Sequence, residues 1–572
     1  MKIFRYARYG VVALGLLGCQ DPLAVSNTNN PDRDKALGTA ADLESFLSKA
    51  YTVVHQGTLG GATVPGGGGN DALQPQLLVM GMESVSGLAN FSMGPRSALP
   101  RNPIDNTVGS QGNLGNYRDF VVEHRAAFMA ALSLANLAKL GTLGSAARDA
   151  RARAFARFVQ GTALGNIALA YDSGIVITEG NVNAAIIPLA SHDSVMRAAI
   201  GYLDSAIAIA RVAPTGSDGF PIPNTWINGV TLSTSLFIQL ANSYQARFRA
   251  GLARTPAERA NPAVVDWGKV ITEATAGITS NLEITMSPPP AGAWDISWVP
   301  QQFATGAANW HQMSQFWLGM ADASGGYDQW LNRSMPVCGR CPFLVVTPDK
   351  RLPQGATRAA QNASSPASDT KLAFSSILPY VRNRPSGEDQ PGDATQISMY
   401  DNYRSRGFFN NNDVGSYPVM TAAEIRLLAA EGYLRANNIN QGVKLINASR
   451  VGVGGLPPLD TLATDTAAVV PGGASCVPRV PDPAQSYRAT KCGNIWDALK
   501  WEYRMETMFT GYGMWFFAGR GWGDLPEGTA VNWPVPFQEL QVRGEPIYGL
   551  GGKGLPGGAA QGSYGLFLGG VY

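Results

Sequence analysis

The stretch that decides the fold reads TAAEIRLLAAEGYLR and covers residues 421–435. Ile425, Leu428 and Gly432 recur at steps of three and four residues, which places them on one apolar face of a helix. A second helical pattern follows after a short turn, at residues 441–451. The two stretches together predict an antiparallel pair of helices.

Similar patterns lie on both sides of this hairpin. In one of them, Gly161, Gly165 and Ala168 form a stripe of small residues, which lets a neighbouring helix approach closely. Paired helices of this kind are typical of tetratricopeptide-type units, although no strict repeat of 34 residues is visible. The predicted helices lie at residues 39–55, 117–140, 145–171, 193–212, 229–251, 266–279 and 495–509.

Residues 281–420 differ from the rest because they are rich in Pro, Gly, Asn and aromatic residues and show little helical periodicity. Residues 344–347 and 397–400 are candidates for short strands. Loops on a rigid scaffold often carry binding residues. We therefore expect a mostly α fold, in which a loop-rich, partly β region separates degenerate helical hairpins at residues 39–280 and 421–572.

The first eighteen residues have the zones of an export signal: basic residues, a short apolar run at 11–17, and Gly18 before Cys19. This pattern is typical of a bacterial lipoprotein, in which Cys19 takes the lipid. An ordinary signal peptide that happens to contain a cysteine is the alternative. Gln20 favours the outer membrane, because an Asp there retains lipoproteins on the inner membrane of some bacteria. Residues 19–38 would then form an extended tether.

Charge excludes one class of partner. Removal of the signal takes away Lys2, Arg5 and Arg8 and changes the formal net charge from +2 to −1. Only 15% of the residues are charged, so the chain lacks the basic surface that nucleic-acid binding needs. Beyond the signal, the sequence offers no apolar stretch long enough to cross a membrane.

The other four cysteines form two local pairs, Cys338 with Cys341 and Cys476 with Cys492. An even number in an exported chain indicates disulfides. A redox CxxC and a four-cysteine zinc site are the alternatives. Prolines on both sides of the first pair argue against the redox motif, and the distance between the pairs argues against zinc.

Catalytic and cofactor motifs are absent from the sequence. The four histidines lack metal-ligand spacing, and neither a GxSxG elbow nor a phosphate-binding loop occurs. Glu502 and Glu506 lie one helical turn apart and could in principle form the carboxylate pair of a glycoside hydrolase. Acids on an exposed helix face are the common explanation, so we expect no enzyme, no cofactor and no metal.

Aromatic residues give the strongest binding signal. Flat rings on loops, with polar residues between them, suit a sugar, because a ring packs on its C–H face while polar groups bind its hydroxyls. Alternatively, these rings fill a small core under the loops. The residues concerned are Trp294, Trp298, Trp310, Trp317, Tyr327 and Trp330.

Several motifs together resemble the SusD/RagB-like substrate-binding lipoproteins of the outer membrane. The extended lead after Cys19, the helix EIRLLAAE at 424–431 and the helix beginning EYRME at 502–506 are similar to parts of that family. The closing segment WPVP at 533–536 also resembles its last proline motif.

The resemblance implies degenerate tetratricopeptide-like hairpins and a variable, loop-rich face that captures ligand. It also implies that the protein covers a TonB-dependent, SusC-like barrel at the cell exterior and passes it oligosaccharides or peptides. Asn90 and Phe91 occupy the stretch after the first helices where the family places ligand contacts. A tetratricopeptide-like envelope scaffold without small-molecule cargo is the alternative, and a glycoside hydrolase is third.

Overall fold

The structure is a computed structural model of a chain of 572 residues. The side chains of residues 113–115 are not described. The part of the chain that the structure describes comprises residues 36–61, 72–86, 92–110, 113–214, 216, 218–287, 294–296, 312–366, 368, 374, 377–388, 397–552 and 554–557.

Helices dominate this part of the chain, as the sequence predicts. They are α1 (Ala40–Ser48), α2 (Ala50–Thr58), α3 (Leu73–Met80), α4 (Met93–Ser97), α5 (Asn113–Leu140), α6 (Ala146–Ala170), α7 (His192–Arg211), α8 (Thr234–Leu252), α9 (Pro256–Ala260), α10 (Trp267–Thr275), α11 (Gln315–Leu318), α12 (Gly326–Leu331), α13 (Arg358–Ala363), α14 (Arg406–Asn410), α15 (Ala422–Arg435), α16 (Ile439–Arg450), α17 (Ile495–Thr507), α18 (Met514–Trp522) and α19 (Phe537–Arg543).

The strands are short and pair two by two in antiparallel ladders. The pairs are β1 (Ser84–Val85) with β5 (Gln312–Met313), β2 (Ser173–Ile175) with β3 (Leu189–Ser191), β4 (Leu282–Met286) with β8 (Gly415–Met420), β6 (Val381–Asn383) with β7 (Tyr400–Asn402), and β9 (Arg479–Pro481) with β10 (Thr490–Cys492). Two of these pairs, β1 with β5 and β4 with β8, join segments more than 100 residues apart, and β1 with β5 ties the loop-rich region to the segment that follows α3.

Small residues explain how the long helices pack. A Cβ atom on Gly161 would lie 2.6 Å from Cγ of Leu203 on α7, and one on Gly165 would lie 2.1 Å from Cε2 of Phe248 on α8. Any larger residue would force both neighbours away from α6. The predicted role of the small-residue stripe is therefore confirmed.

The hairpin of α15 and α16 also forms as predicted, and the side chain of Thr421 caps α15 by accepting a hydrogen bond from the amide of Glu424. Glu431 pairs with Arg435 at 2.8 Å. It also binds Arg259 at 2.7 Å and is buried. The pair is thus part of the contact between α15 and α9 rather than an isolated pair on the helix surface.

Two local expectations are wrong in detail. The helix expected at 39–55 is divided at Lys49, whose amide bonds to the carbonyl oxygen of Phe46 at 3.2 Å in a tighter turn. The strand expected at 344–347 does not form. Its backbone pairs with side chains instead: the amide of Val345 donates to the Tyr400 hydroxyl at 2.9 Å. The second predicted strand is shifted to β7.

Both predicted cysteine pairs are disulfides. The Cα atoms of Cys338 and Cys341 lie 5.5 Å apart, and those of Cys476 and Cys492 lie 5.8 Å apart. The second bridge joins the segment before β9 to the end of β10, so it closes the loop that carries this hairpin.

Among the described helices, none combines the length and apolar character that crossing a bilayer requires.

Candidate functional site

Three of the predicted ligand-binding aromatics lie in a hydrophobic core. Trp317, Tyr327 and Trp330 are each at most 1% exposed. The Trp317 ring lies 5.2 Å from that of Trp515, and the Trp330 ring lies 4.8 Å from that of Phe316. The prediction that these three rings bind ligand is therefore wrong, and the alternative interpretation as a core under the loops holds for them.

Sequence could not separate these two roles, because loop-rich regions need apolar residues for packing as well as for binding. Two of the three rings bond within the protein: the Tyr327 hydroxyl donates to the carbonyl oxygen of Phe316 at 2.6 Å. The indole nitrogen of Trp317 donates to the carbonyl oxygen of Glu83 at 3.4 Å. The Trp317 bond connects this core to the segment that leads into β1.

Trp294 has a different environment. It is half-buried, and its ring lies 5.2 Å from His55 and 6.5 Å from Tyr51, both on α2. The next residue, Asp295, bonds through its carbonyl oxygen to Nε2 of His55 at 2.6 Å. Trp298, Trp310, Asn90 and Phe91 lie outside the described residues, and so does Cys19, so their predicted roles remain predictions.

The ends of the segments around Asn90, Phe91, Trp298 and Trp310 contact other parts of the chain in two pairs. Val85, whose strand precedes residues 87–91, is the partner of Gln312, which follows residues 297–311. Gly61, which precedes residues 62–71, donates its amide to the Asp295 carboxylate at 3.0 Å. We call these two contacts together the loop junction and define it as Gly61, β1, Trp294, Asp295 and β5.

A fourth segment is joined to β5. The hydroxyl of Ser398, at the end of residues 389–396, donates to the carbonyl oxygen of Met313 in β5. The guanidinium of Arg384 holds the carbonyl oxygen of Ser398 at 2.6 Å. The contacts of the loop junction and of Ser398 therefore involve the ends of four segments that are far apart in sequence, and binding residues often lie on segments of this kind.

An ion pair within α5 holds both ends of residues 62–71. Arg118 donates to the carbonyl oxygens of Gln56 and Gly60, which end α2. Asp119 accepts the amide of Leu73, which begins α3, at 3.1 Å. Arg118 and Asp119 are bonded to each other at 2.7 Å and are fully buried. The ion pair therefore fixes the separation of the two ends of this segment.

Sequence reasoning missed this pair, although one signal was present. Two adjacent charged residues interrupt an otherwise apolar helix face, and charged residues are rarely buried unless they are paired. Burial raises the pKa of Asp119 to about 6, although Arg118 and the Tyr512 hydroxyl act in the opposite direction. Burial also raises the pKa of neighbouring Glu123 well above its ordinary value.

The loop junction also contains buried polar atoms without hydrogen-bond partners. Oγ of Ser84 and Oε1 of Gln312 are in this state, and so are both amide atoms of Gln315, which follows β5 in α11. Glu83, which precedes β1, accepts the amide of Phe509, and burial raises the pKa of its carboxyl to about 8. At pH 7 this carboxyl is therefore mostly protonated. The β1–β5 part of the loop junction is thus polar without a formal charge, and the Asp295 carboxylate is the charged group of the other contact.

Metal and hydrolytic chemistry gain no support from the described residues. They contain no group of three or more His, Cys, Asp or Glu side chains that could hold a metal ion. Burial lowers the pKa of His124 to about 4. Glu502 and Glu506 are buried and bonded to Arg351, at 2.6 Å and 3.2 Å. Both carboxylates therefore hold a structural cation, and they are not acids on an exposed helix face.

Comparison with solved structures identifies the fold. The chain is similar to a SusD homolog from Bacteroides thetaiotaomicron, with a TM-score of 0.50 and 14% identity over 94% of this chain and 93% of that one. A SusD homolog from Parabacteroides distasonis gives a TM-score of 0.49 at 15% identity, over 88% and 93% of the two chains. The protein therefore has the SusD-like fold along nearly its whole length, and the resemblance read from its motifs is confirmed at the level of the fold.

A SusD-like carbohydrate-binding protein from Bacteroides vulgatus is also similar, with a TM-score of 0.46 and 13% identity over 92% of this chain and 94% of that one. The sequence itself matches no protein-family profile. It also has no significant match among curated proteins. The similarity to these proteins is therefore a similarity of fold and not of sequence.

Proposed function

We propose that this protein is a non-enzymatic lipoprotein of the outer-membrane surface that binds oligosaccharides at the loop junction. The observation that carries the proposal is the combination of a SusD-like fold along the chain with the contacts of the loop junction, which involve the ends of segments far apart in sequence. Trp294 belongs to the loop junction, and Trp298 and Trp310 belong to one of these segments. The side chains of β1 and β5 carry no formal charge, which favours a neutral sugar.

A panel of neutral hexasaccharides tests this proposal. Maltohexaose, cellohexaose and xylohexaose are titrated calorimetrically into the mature protein, with a mixed hexapeptide as the comparison ligand. Saturable heat with one sugar, reduced in Trp294→Ala, is the expected result. Saturable binding of the peptide alone would move the proposal to peptide uptake, which the family resemblance also implies. If neither the sugars nor the peptide bind, the alternative of a tetratricopeptide-like envelope scaffold without small-molecule cargo is favoured.

Enzyme action is tested in the same samples. We expect no hydrolysis of a bound hexasaccharide over hours, because the carboxylate pair singled out in the sequence is buried against Arg351. Chromatography of the sugar after incubation checks this. Turnover that disappears in Glu502→Gln but not in Trp294→Ala would contradict the proposal.

The anchor of the proposed lipoprotein is Cys19. The wild-type chain is expected to fractionate with the outer membrane and to be digested by protease added to whole cells. Cys19→Ala should appear in the soluble fraction while retaining its sugar affinity. A Cys19→Ala protein that remains in the outer membrane would contradict lipid anchoring.

The proposed partner is a TonB-dependent, SusC-like barrel that takes the sugar from the loop junction. Mild solubilisation and affinity purification of the wild-type chain should recover a large barrel protein. Recovery of the lipoprotein alone, under conditions that preserve such complexes, would contradict the transfer step but not sugar binding.

A further inference from the structure

An open groove lies on the helical body, and its lining shares no residue with the loop junction. Its volume is about 670 Å³, and it runs between α7, α8 and the segment before α10. Sites for small ligands in proteins commonly measure 300–1,000 Å³. The polar residues that decide its chemistry are Asp193, Arg197, Asp204, Arg249, Asp266 and Lys269.

Gly201 lies in the wall of this groove, in the middle of α7, and is exposed. A glycine inside a helix costs about 1 kcal/mol relative to alanine, so its presence usually has a packing reason. A Cβ atom on Gly201 would meet nothing within 4 Å. Nothing in the described chain therefore requires a glycine here.

Other glycines inside the long helices have a visible reason. A Cβ atom on Gly251 would lie 2.9 Å from Leu169, one on Gly432 would lie 2.6 Å from Ile271, and one on Gly442 would lie 2.6 Å from Leu434. In each case another part of the chain lies against the bare backbone. By the same logic, the open backbone of Gly201 fits a contact with a molecule outside the chain.

The polar lining is oriented by bonds within the protein. Asp204 accepts a hydrogen bond from Gln245 at 2.7 Å, and Arg249 bonds Glu273 at 2.8 Å. Asp266 caps α10 by accepting the amide of Lys269 at 3.0 Å. These groups are held in place before any ligand arrives, which lowers the entropic cost of binding.

The charge pattern indicates the class of ligand. The lining contains three carboxylates and three cations, so neither an anion nor a cation is favoured overall. Carboxylates accept hydrogen bonds and guanidinium or ammonium groups donate them, and sugar hydroxyls can do both. Leu252, Pro262 and Val264 also line the groove, are at least partly exposed, and offer apolar surface to the C–H faces of a sugar.

We propose that this groove is a second binding site for a neutral oligosaccharide, in which the sugar lies against the exposed backbone of Gly201. The inference rests on the proposed function. Asp193 and Asp204 are eleven residues apart on one helix, so the groove wall between them is roughly 16 Å long. A short oligosaccharide can extend along it while the loop junction binds another part of the same chain or a second molecule.

Thiol protection tests the second site directly. Gly201→Cys and Ala208→Cys are made in the mature protein; Ala208 is exposed on the same helix but does not line the groove. The four cysteines of the two disulfides are already bonded, and the unsubstituted chain gives the background for labelling with a fluorescent maleimide. Circular dichroism confirms that both variants retain their helices.

A bound hexasaccharide at ten times its Kd should slow labelling at position 201 by roughly tenfold, with no change at position 208. Calorimetry should find two sites in wild type and one in Gly201→Leu. Unchanged labelling at 201, with calorimetric binding intact, would overturn the second site and leave the proposed function standing. Protection by a hexapeptide and not by any hexasaccharide would overturn the ligand class. Lack of any sugar binding in calorimetry would overturn both proposals.

Discussion

The helical body and the loop-rich region hold together through different contacts. Long helices in the body approach closely because side chains are missing, as at Gly161 and Gly165, where neighbouring helices occupy the space of a Cβ atom. These contacts follow helical periodicity and can be read along the sequence. The stability of the helical body should therefore depend on the volume of the side chains at these positions.

The loop-rich region depends on buried charges to connect irregular backbone to the helices. Arg351 bonds Asp349 at 2.8 Å and reaches Glu502 and Glu506 on α17, and its side chain is fully buried. Arg382 bonds Asp401 at 2.7 Å across the β6–β7 pair. Irregular backbone cannot satisfy its own polar groups as a helix does, and Arg384 supplies one such bond by donating to the carbonyl oxygen of Ser398 at 2.6 Å. Packing of this kind is sensitive to charge.

The largest expected effect comes from the buried cation of the loop-rich region. Arg351→Met should lower the free energy of unfolding by about 3–5 kcal/mol, because it leaves buried carboxylates without their partner. Urea denaturation measures the change. Arg488→Met, at an exposed arginine, should change stability by less than about 0.5 kcal/mol. Equal effects of the two variants would show that the buried ion pairs of Arg351 do not stabilise the loop-rich region.

The pH dependence of stability gives the next effect. Glu83 has a folded-state pKa of about 8, raised by burial from 4.5, so the folded state holds a proton that the unfolded state releases above pH 4.5. Stability from this group is present at low pH and falls by about 1.4 kcal/mol per pH unit between roughly pH 5 and 8.

Glu83→Gln keeps the acceptor for the Phe509 amide and removes the titration. Its unfolding free energy should therefore fall less steeply than that of wild type across this window. Glu545→Gln, at an exposed carboxyl, should keep the wild-type slope. A Glu83→Gln profile parallel to wild type would show that this carboxyl does not stay protonated in the fold.

The helical body should respond to volume. Gly165→Ala places a methyl group within 2.1 Å of the Phe248 ring and should cost about 1–3 kcal/mol through overpacking. Gly201→Ala adds the same methyl group where space is open and should stabilise α7 by about 1 kcal/mol in the absence of ligand. Thermal unfolding of the two variants measures whether Gly165→Ala lowers the stability and whether Gly201→Ala raises it. A destabilised Gly201→Ala would mean that the chain itself needs this glycine.

The smallest expected effect concerns affinity. Trp294→Ala should weaken hexasaccharide binding by about three- to tenfold, since one aromatic contact contributes about 0.5–1.5 kcal/mol. Trp330→Ala is the matched comparison, because this ring is buried in the core. It should lower stability and leave the affinity of the folded fraction unchanged. Calorimetry on folded samples separates the two.

Periodicity explains how far the sequence predicts this fold. Helices such as α6 and α15 repeat apolar residues at three and four positions, and their ends carry polar caps, so their bounds agree with expectation to within a few residues. The two disulfides were also predictable, because each pair is close in sequence. These signals are local.

The candidate site was predictable only in part, because its contacts are not local. Arg118 holds the end of α2 some 60 residues earlier in the chain, and Val85 pairs with Gln312 across more than 200 residues. A tryptophan in a loop-rich stretch looks the same in sequence whether it packs inward, as Trp317 does, or stays half-buried, as Trp294 does. Three-dimensional packing alone separates these cases.

Hydrogen–deuterium exchange of the mature protein, with and without the hexasaccharide that binds best, tests the central claim most directly. We expect slower exchange in peptides that contain Gly61, β1, Trp294 and β5, because a sugar at the loop junction would cover or stabilise them. Binding without protection of these peptides, or no binding of any hexasaccharide, would contradict the assignment of the loop junction as the sugar site.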